Sequence, residues 1–483
     1  MNRSRTIYLL ALLALLALGL RVWVVLALRT DHARPLGFEH GRIAENLLAG
    51  RGFTVEFLGQ EGPTSQQAPF YPLLLAGVYT CFGVGTAGSL LFVQLLQALA
   101  GTALVLVVAW LAWSLVPDRP LVGWIAALAA AVYPAHLYMV THKQVALWAA
   151  LLVTLLLAVV LSPFWQATWR GAILAGLLSG LLLLVEPILA LAPPVCAAVF
   201  WLAERERGRR LVGPGALGRV AAMVGLAVLV IMPWTVRNWR VHGEPMFIKS
   251  TFGYALWQGN HPLSWGTDKV PKSSAEAIRL DHDGTLSGMD RALWEARHET
   301  LYIDDVVLKP TGYRQFQGLT EPQCCELLRR EAIGYIQQDP GRYLKLCLRR
   351  LRYFLLFDET NPKASNRLYR ISTAAWLVLV FIGLIVSSPR WHRLWPTYAI
   401  FAAVALFHAL VIVSARFRIP VEPISFVWIA AGLAPLVTSH RIKVWRPGER
   451  PRDPFGPAQG LQGPHYRIRS ATDATLKSSH KSR

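Results

Sequence analysis

The 483-residue chain is 54% hydrophobic and only 16% charged, with a mean hydropathy of +0.37. A water-soluble fold cannot bury that much apolar surface, so the composition excludes an ordinary soluble protein and indicates a multi-spanning membrane protein. The formal net charge of +20 would suggest a nucleic-acid partner in a soluble chain, but here the cations must first be divided between the two sides of a bilayer, and we predict no nucleic-acid partner.

Long apolar runs alternate with short polar connections along the chain. The first run follows Arg3 and Arg5, is long enough to span a bilayer and lacks a clear small-residue cleavage site, so we predict a retained helix. The run 171–203 is too long for one span and contains Glu186-Pro187, where proline interrupts the backbone hydrogen bonds, so we predict two short crossings. Ten membrane-spanning helices are therefore predicted, in the runs 7–28, 88–116, 121–139, 145–162, 171–203 (two crossings), 218–238, 371–388, 395–414 and 419–438.

The positive-inside rule then orients the chain. With ten crossings, the arginine-rich segment 204–210 and both termini lie in the cytoplasm, as expected for a protein of the plasma (inner) membrane. The tail is basic, rich in Pro and Gly and without apolar periodicity, which indicates a disordered segment near anionic lipid headgroups. The predicted parts are a membrane core 1–238 with a first outer loop 29–68, an outer region 239–370, C-terminal spanning helices 371–438 and a cytoplasmic tail 439–483.

Several segments outside the spans are also predicted to be helical. Apolar residues recur at helical spacing in 37–49, before the glycine stop at Gly50, which indicates a short amphipathic helix on the membrane surface. The run 69–82 is too short to cross and is predicted to be interfacial, and 327–335 and 341–357 are further helices of the outer region. The five cysteines lack both metal-ligand and disulfide spacing, so they support neither a zinc site nor a disulfide framework. We predict no metal and no other cofactor.

Cations remain on the side that the positive-inside rule disfavours. A phosphate at headgroup level would explain them because the guanidinium fork matches its oxygens, whereas a lone arginine can also snorkel to ordinary headgroups. For the pair Arg416 and Arg418 we favour the phosphate. The outer cations at the ends of spans are His142, Lys143, Arg237, Arg416 and Arg418.

Three acidic residues have both a structural and a functional interpretation. Glu39 begins the surface helix, where a carboxylate could either cap the helix or act at the membrane boundary. Glu186 lies at the proline break, where it could pair with freed backbone donors. Glu422 follows Arg418 by four residues, which favours an ion pair between them.

Six segments carry a resemblance to a known family. They are GFEHGRIA (37–44), GRGF (50–53), GPT (62–64), PFYPLL (69–74), PWTVRNW (233–239, continuing to Gly253 and Gly259-Asn260) and ARFRIPVEP (415–423). Together they resemble the bacterial membrane glycosyltransferases of family 39. This family belongs to the GT-C superfamily, with the protein O-mannosyltransferases and the lipid A aminoarabinose transferases. The resemblance extends from the first helix to about residue 438.

The resemblance implies an all-α, GT-C-like bundle that transfers a sugar from a polyprenyl-phosphate carrier in the outer leaflet to a lipid, glycan or protein acceptor, usually with inversion. The first-loop acid of the family is the catalytic base, and Glu39 matches it here. Cations would stabilise the leaving phosphate. The predicted substrate-binding residues are Arg416, Arg418, Arg237, Lys143, His40, Tyr71 and Asn260.

The chain departs from the family pattern in its first and second outer loops. His40 follows Glu39 where relatives often have an acidic pair, and 141–144 contains no acid where many relatives have one. Two other functions therefore stay open: a transporter or lipid flippase, for which the broken helix at Glu186 would be suitable, and a catalytically silent family member.

Overall fold

The computed structural model describes residues 3–28, 38–166, 168–206, 214–271, 284–309 and 311–439. The predicted cytoplasmic tail, apart from Ser439, lies outside the described residues. The described residues are mostly helical and include one antiparallel hairpin, β1 (Thr54–Phe57) and β2 (Gln60–Pro63). The helices are α1 Arg3–Leu28, α2 Glu39–Leu48, α3 Phe70–Phe82, α4 Ala87–Leu115, α5 Leu121–Val132, α6 Pro134–Met139, α7 Ala146–Leu161, α8 Trp169–Val185, α9 Ala192–Glu206, α10 Pro214–His242, α11 Phe252–Asn260, α12 Leu286–His298, α13 Ile303–Val307, α14 Glu321–Gln338, α15 Pro340–Leu355, α16 Arg367–Ser387, α17 Trp391–Leu410 and α18 Glu422–Ser439.

The apolar helices confirm a polytopic membrane protein. Four helical segments are long and apolar enough to cross a bilayer: Ser4–Leu28, Ala87–Leu115, Gly215–His242 and Arg367–Leu410. The last of these contains both α16 and α17. Shorter apolar helices complete the bundle, and one of 17 residues is about 25 Å long, close to the hydrocarbon thickness. Within the described residues, helices lie in all of the runs predicted to cross, with one difference: 121–139 is broken at Pro134 into α5 and α6.

Contacts between connecting segments divide the bundle into two ends. At one end, Asp118 pairs with Arg390 (3.3 Å) and Arg393 (3.7 Å), which joins two connections that were both predicted to lie inside. At the other end, the Thr64 hydroxyl donates to Glu321 (2.6 Å), which joins the segments 29–68 and 239–370. We call this second end the loop end. The grouping agrees with the charge-based topology, while the orientation of the loop end in the cell stays a prediction.

The predicted break in the long run 171–203 is present and lies at the loop end. Helix α8 ends at Val185, a 3₁₀ turn follows over Pro187–Leu191, and α9 begins at Ala192. Glu186 pairs with Lys249 of the outer region at 3.4 Å. The carboxylate therefore holds a loop against the bundle and does not serve the freed backbone donors of the break.

The first loop contains the predicted surface helix α2, the short helix α3 and the hairpin, which the sequence analysis did not predict. The turn at Leu58 and Gly59 has positive φ at both residues, 52° and 74°. A Cβ on Gly59 would approach the Cβ of Tyr313 within 2.8 Å, so only glycine fits between the hairpin and the outer region.

Two arginines of α15 bind carbonyls at helix C-terminal ends, one within the outer region and one on a spanning helix. Arg342 donates to the carbonyls of Asn260 (2.9 Å) and His261 (2.7 Å) at the end of α11. Arg350 donates to the carbonyl of Leu410 (3.0 Å) at the end of α17. Because the last carbonyls of a helix lack intrahelical partners and carry partial negative charge, a buried guanidinium is well matched to them.

Candidate functional site

Four segments that are distant in sequence meet at the N-terminus of α2. Phe38 contacts Trp294 of α12 with ring centroids 5.7 Å apart, and the His40 ring lies 5.2 Å from that of Tyr71 in α3. Tyr71 donates to the side chain of Gln97 at 2.8 Å. Gln97 in turn donates to the His142 carbonyl at 2.8 Å, and the His142 ring lies 5.7 Å from Trp294. These contacts place α2, α3, α12 and the α6–α7 connection around one site.

A cavity of about 230 Å³ opens beside this site. Arg297 lies against two aromatic rings there, with its guanidinium carbon 4.6 Å from the Phe38 ring and 5.5 Å from the Trp294 ring. Stacking of this kind holds a guanidinium in place while leaving its N–H groups free to bind a ligand. The cavity is lined by Phe38, Trp294, Arg297, Thr300, Tyr302 and Asp305.

Four cations surround the site, and we call Lys269, Arg297, Lys363 and Arg416 the cationic cluster. Lys363 lies with its ammonium 4.6 Å above the Tyr138 ring, and no described residue accepts a hydrogen bond from it. Burial lowers its pKa to about 7, and the charges of Arg297, Arg416 and Lys269 contribute in the same direction. Asp290 acts in the opposite direction and offsets this only in part.

The other members of the cationic cluster differ in how far they are neutralised. Lys269 forms an ion pair with Asp268. Burial alone would raise the pKa of Asp268, but the positive charges of Lys269 and Arg416 keep that pKa below its usual value. Arg416 is exposed, and its guanidinium lies 5.6 Å from the Phe417 ring. No described residue pairs with the guanidinium of Arg416 or Arg297, so both are available to a ligand.

Both histidines of the site are neutral. Burial lowers the pKa of His40 to about 3, and Lys249 and Arg416 lower it further. Burial likewise lowers the pKa of His142 to about 3, with Lys363 as the next cause. Neutral imidazoles cannot add positive charge to the cationic cluster, but they can donate or accept hydrogen bonds.

Glu39 begins α2 between Phe38 and His40, and its side chain is exposed. The N-cap residue is Phe38, and no side chain makes a capping hydrogen bond, so the interpretation of Glu39 as a cap is wrong. No described residue forms a hydrogen bond or ion pair with its carboxylate. Glu39 is therefore a carboxylate at the edge of the site that has no partner among the described residues.

Arg418 is not available to a phosphate. It is 3% exposed, donates to Glu422 at 2.6 Å and donates to the carbonyls of Phe354 (2.9 Å) and Leu355 (2.7 Å) at the end of α15. The alternative prediction, an ion pair with Glu422, is confirmed. Glu422 also has His136 Nε2 at 3.1 Å, so this buried group joins α6, α15 and α18.

Three other predicted substrate-binding residues have structural contacts in the described chain. Arg237 donates to the carbonyls of Thr64 (2.6 Å) and Phe53 (3.0 Å), which holds the hairpin against α10. Asn260 accepts from Arg350 at 2.8 Å. Lys143 is half-buried, which lowers its pKa.

Sequence reasoning missed the residues that the outer region contributes, namely Lys269, Asp290, Arg297 and Lys363. Asp290 accepts a hydrogen bond from Tyr138 at 2.7 Å, so α12 brings a carboxylate to the end of α6, next to the α6–α7 connection, which has none of its own. A Trp-x-x-Arg spacing on amphipathic α12 is the only sequence signal for this group. In the described residues, no three His, Cys, Asp or Glu side chains converge as a potential metal site.

A second cavity of about 200 Å³ lies between the hairpin, α10 and α14. Cys324 lines it, and both cysteines of the vicinal pair 324–325 are buried free thiols. Glu321 at its edge already accepts hydrogen bonds from the Thr64 hydroxyl and the Ser65 amide, at 2.6 and 2.8 Å. The polar groups of this cavity therefore serve mainly to hold the first loop.

Comparison with known proteins gave no family model and no curated protein that matches the chain. Among solved structures, the crystal structure of ArnT from Cupriavidus metallidurans bound to undecaprenyl phosphate matches with a TM-score of 0.39 and 16% identity, over 90% of this chain and 78% of that one. The apo structure of the same protein gives a TM-score of 0.35 and 16% identity, over 90% and 77%. At such TM-scores the likeness carries no argument, so the function has to be inferred from the site.

Proposed function

We propose that the protein is a membrane glycosyltransferase of the GT-C type. It takes a sugar from a polyprenyl-phosphate carrier and transfers it to a hydroxyl group of a lipid, glycan or protein acceptor, with the loop end on the outer side of the plasma (inner) membrane. The observation that supports this most is the cationic cluster, where Lys363, Arg297 and Arg416 have N–H donors but no described acceptor. The sequence resemblance of the α2 segment points to the same chemistry.

A phosphate fits the cationic cluster better than a neutral ligand does. Its oxygens would supply the acceptors that the two guanidinium groups lack, and its charge would offset the repulsion that lowers the pKa of Lys363. The site lies at one end of a bundle of apolar helices, where a lipid-linked phosphate would reach it while the isoprenoid chain stays in the bilayer.

In the proposed reaction, Glu39 removes the proton of the acceptor hydroxyl. The acceptor oxygen forms a bond to the anomeric carbon as the bond from that carbon to the carrier phosphate breaks, and the phosphate leaves with the electron pair. Attack from the face opposite the phosphate inverts the anomeric carbon. Arg416 and Lys363 stabilise the charge that the leaving phosphate gains, whereas Arg418 keeps the end of α15 in place.

The remaining predicted residues have supporting roles in this proposal. His40 and Tyr71 pack against each other below Glu39 and fix the start of α2. Lys143, on the α6–α7 connection, adds positive charge near the site. A transporter or flippase is less well supported, because the helix break lies at the loop end beside Lys249 and not at the bilayer midplane, where alternating-access sites are found.

A transfer assay tests the proposal. Membranes with the wild-type protein receive a radiolabelled polyprenyl-phosphate sugar, and transfer is compared with that of Glu39→Gln and of Glu61→Gln, an exposed acid of the same loop. We expect transfer to be lost in Glu39→Gln and kept in Glu61→Gln. Equal transfer by all three proteins would show that Glu39 is not the base. Carrier binding without transfer by the wild type would support a silent family member, and the absence of both would contradict the proposal.

A further inference from the structure

His142 is a polar residue of the site that the proposed mechanism does not use. It lies on the connection between α6 and α7 and is 5% exposed. Its ring lies 4.5 Å from the Tyr138 ring and 5.7 Å from the Trp294 ring. The aromatic neighbours fix the plane of the imidazole, so its two nitrogens point in set directions.

The hydrogen bonds of Nδ1 determine the tautomer. Nδ1 lies 2.9 Å from the Thr141 hydroxyl oxygen, and the Tyr138 carbonyl also lies within hydrogen-bonding reach of the ring. The Thr141 hydroxyl donates its proton to that carbonyl at 2.8 Å. Because the hydroxyl proton is used in that bond, the Thr141 oxygen can only accept from Nδ1, so Nδ1 carries the proton and Nε2 carries the lone pair.

The charges around the ring keep it in this neutral form. Lys363 and Arg297 are the cations that face it, while Asp290 on α12 opposes them in part. A proton on Nε2 would add a third positive charge to a buried space. The ring is consequently a hydrogen-bond acceptor at physiological pH, and it is too weakly basic to serve as a general base.

No described residue donates a hydrogen bond to Nε2, so the lone pair is available to a donor from a ligand. An ionised phosphate has no proton to give and would be repelled by the lone pair. A sugar hydroxyl can donate its proton to Nε2 and accept from the neighbouring cations. The chemistry on this side of the site thus differs from that at Arg416, which offers donors only.

We propose that Nε2 of His142 accepts a hydrogen bond from a hydroxyl group of the sugar on the carrier. This inference rests on the proposed function. His142 then selects for the sugar, while Lys363, Arg297 and Arg416 hold the phosphate.

Binding measurements with two ligands test this role. The affinity of the purified protein is measured for undecaprenyl phosphate and for undecaprenyl-phosphate hexoses, in the wild type, His142→Gln, His142→Asn and His142→Phe. The amide of glutamine reaches the position of Nε2, whereas asparagine reaches only that of Nδ1 and phenylalanine has no acceptor. His392→Phe, an exposed histidine at the opposite end, is the control.

We expect the asparagine and phenylalanine variants to bind the hexose-bearing carrier about tenfold more weakly, with the sugar-free carrier unaffected and the glutamine variant close to the wild type. The asparagine variant keeps a polar side chain, so it still allows the two ligands to be compared if the phenylalanine variant does not fold. Equal losses for both ligands, or no loss for either, would overturn the assignment of His142. Failure of the wild type to bind the sugar-free carrier would instead overturn the proposed function.

Discussion

Replacement of Lys363 by arginine should change the pH dependence of carrier binding. The free protein holds the Lys363 ammonium among Arg297, Arg416 and Lys269, with a pKa of about 7. Lysine is charged below its pKa and neutral above it, so the free protein progressively loses this charge as the pH rises through 7. Arginine keeps its charge over the whole range because guanidinium deprotonates only above about pH 12.

The size of the effect follows from the fraction of charged lysine. At pH 7 about half of the molecules carry the charge, and at pH 8 only about one in ten does. If the phosphate binds only the charged form, the apparent Kd of the wild type rises about twofold at pH 7 and about tenfold at pH 8, relative to its value at low pH. The apparent Kd stops rising above the pKa that Lys363 has in the complex, which is higher than its pKa in the free protein.

Titrations of undecaprenyl phosphate against the protein in nanodiscs, at half-unit steps from pH 6 to 9, measure this effect. The second ionisation of the phosphate, with a pKa near 6, affects both proteins alike, so the ratio of the wild-type Kd to the Lys363→Arg Kd isolates the lysine. Lys345→Arg on the exposed face of α15 is the matched control. Parallel profiles for the wild type and Lys363→Arg would refute the role of Lys363.

Three further predictions concern the base, the buried ion pair and the hairpin. Glu39→Gln should lower the transfer rate by about 10²- to 10⁴-fold while carrier affinity is kept, as rapid-quench and binding assays will show. Arg418→Met leaves the 1%-exposed Glu422 without the arginine that pairs with it, and this should lower the free energy of unfolding in detergent by about 3–5 kcal/mol. The double variant Arg418→Met/Glu422→Leu should recover much of that loss because no buried charge is left unpaired. In Gly59→Ala the alanine has to adopt the positive φ of Gly59, and its Cβ collides with Tyr313. Hydrogen exchange of the hairpin amides should therefore accelerate, while the amides of the spanning helices stay protected.

Each of these predictions has an outcome that contradicts it. Loss of carrier binding in Glu39→Gln would mean that the carboxylate organises the site and does not act as the base. An Arg418→Met protein as stable as the wild type would show that the pair contributes little. Unchanged exchange in Gly59→Ala, with Gly62→Ala as the control in the same hairpin, would show that the turn adapts to a side chain.

The spanning helices could be predicted from the sequence because hydropathy is a local property. Charge sorting then required a tenth crossing, and the break at Glu186-Pro187 supplied it, since the effect of proline on a helix is also local. The hairpin was missed because its strands have only four residues each and no clear alternation of apolar and polar residues. The helices α11 and α12 were missed because their short amphipathic stretches lie in a long polar region.

The outer cations show why the site could be predicted only in part. Arg342, Arg350 and Arg418 bind carbonyls at the ends of helices that lie far away in sequence. A guanidinium that matches a phosphate also matches such carbonyls, and only the tertiary structure decides which of them is present. For Arg416 the phosphate stays a prediction, since no described carbonyl or carboxylate forms a hydrogen bond or ion pair with its guanidinium, whereas Lys363 had no sequence signal.

A structure of the protein with bound undecaprenyl phosphate tests the central claim most directly. Electron cryomicroscopy in nanodiscs should show the phosphate within about 3 Å of the Lys363 ammonium and of the guanidinium of Arg416 or Arg297, with Glu39 at the edge of the same cavity. Density for the phosphate at the opposite end of the bundle, beside Asp118 and Arg390, would contradict it.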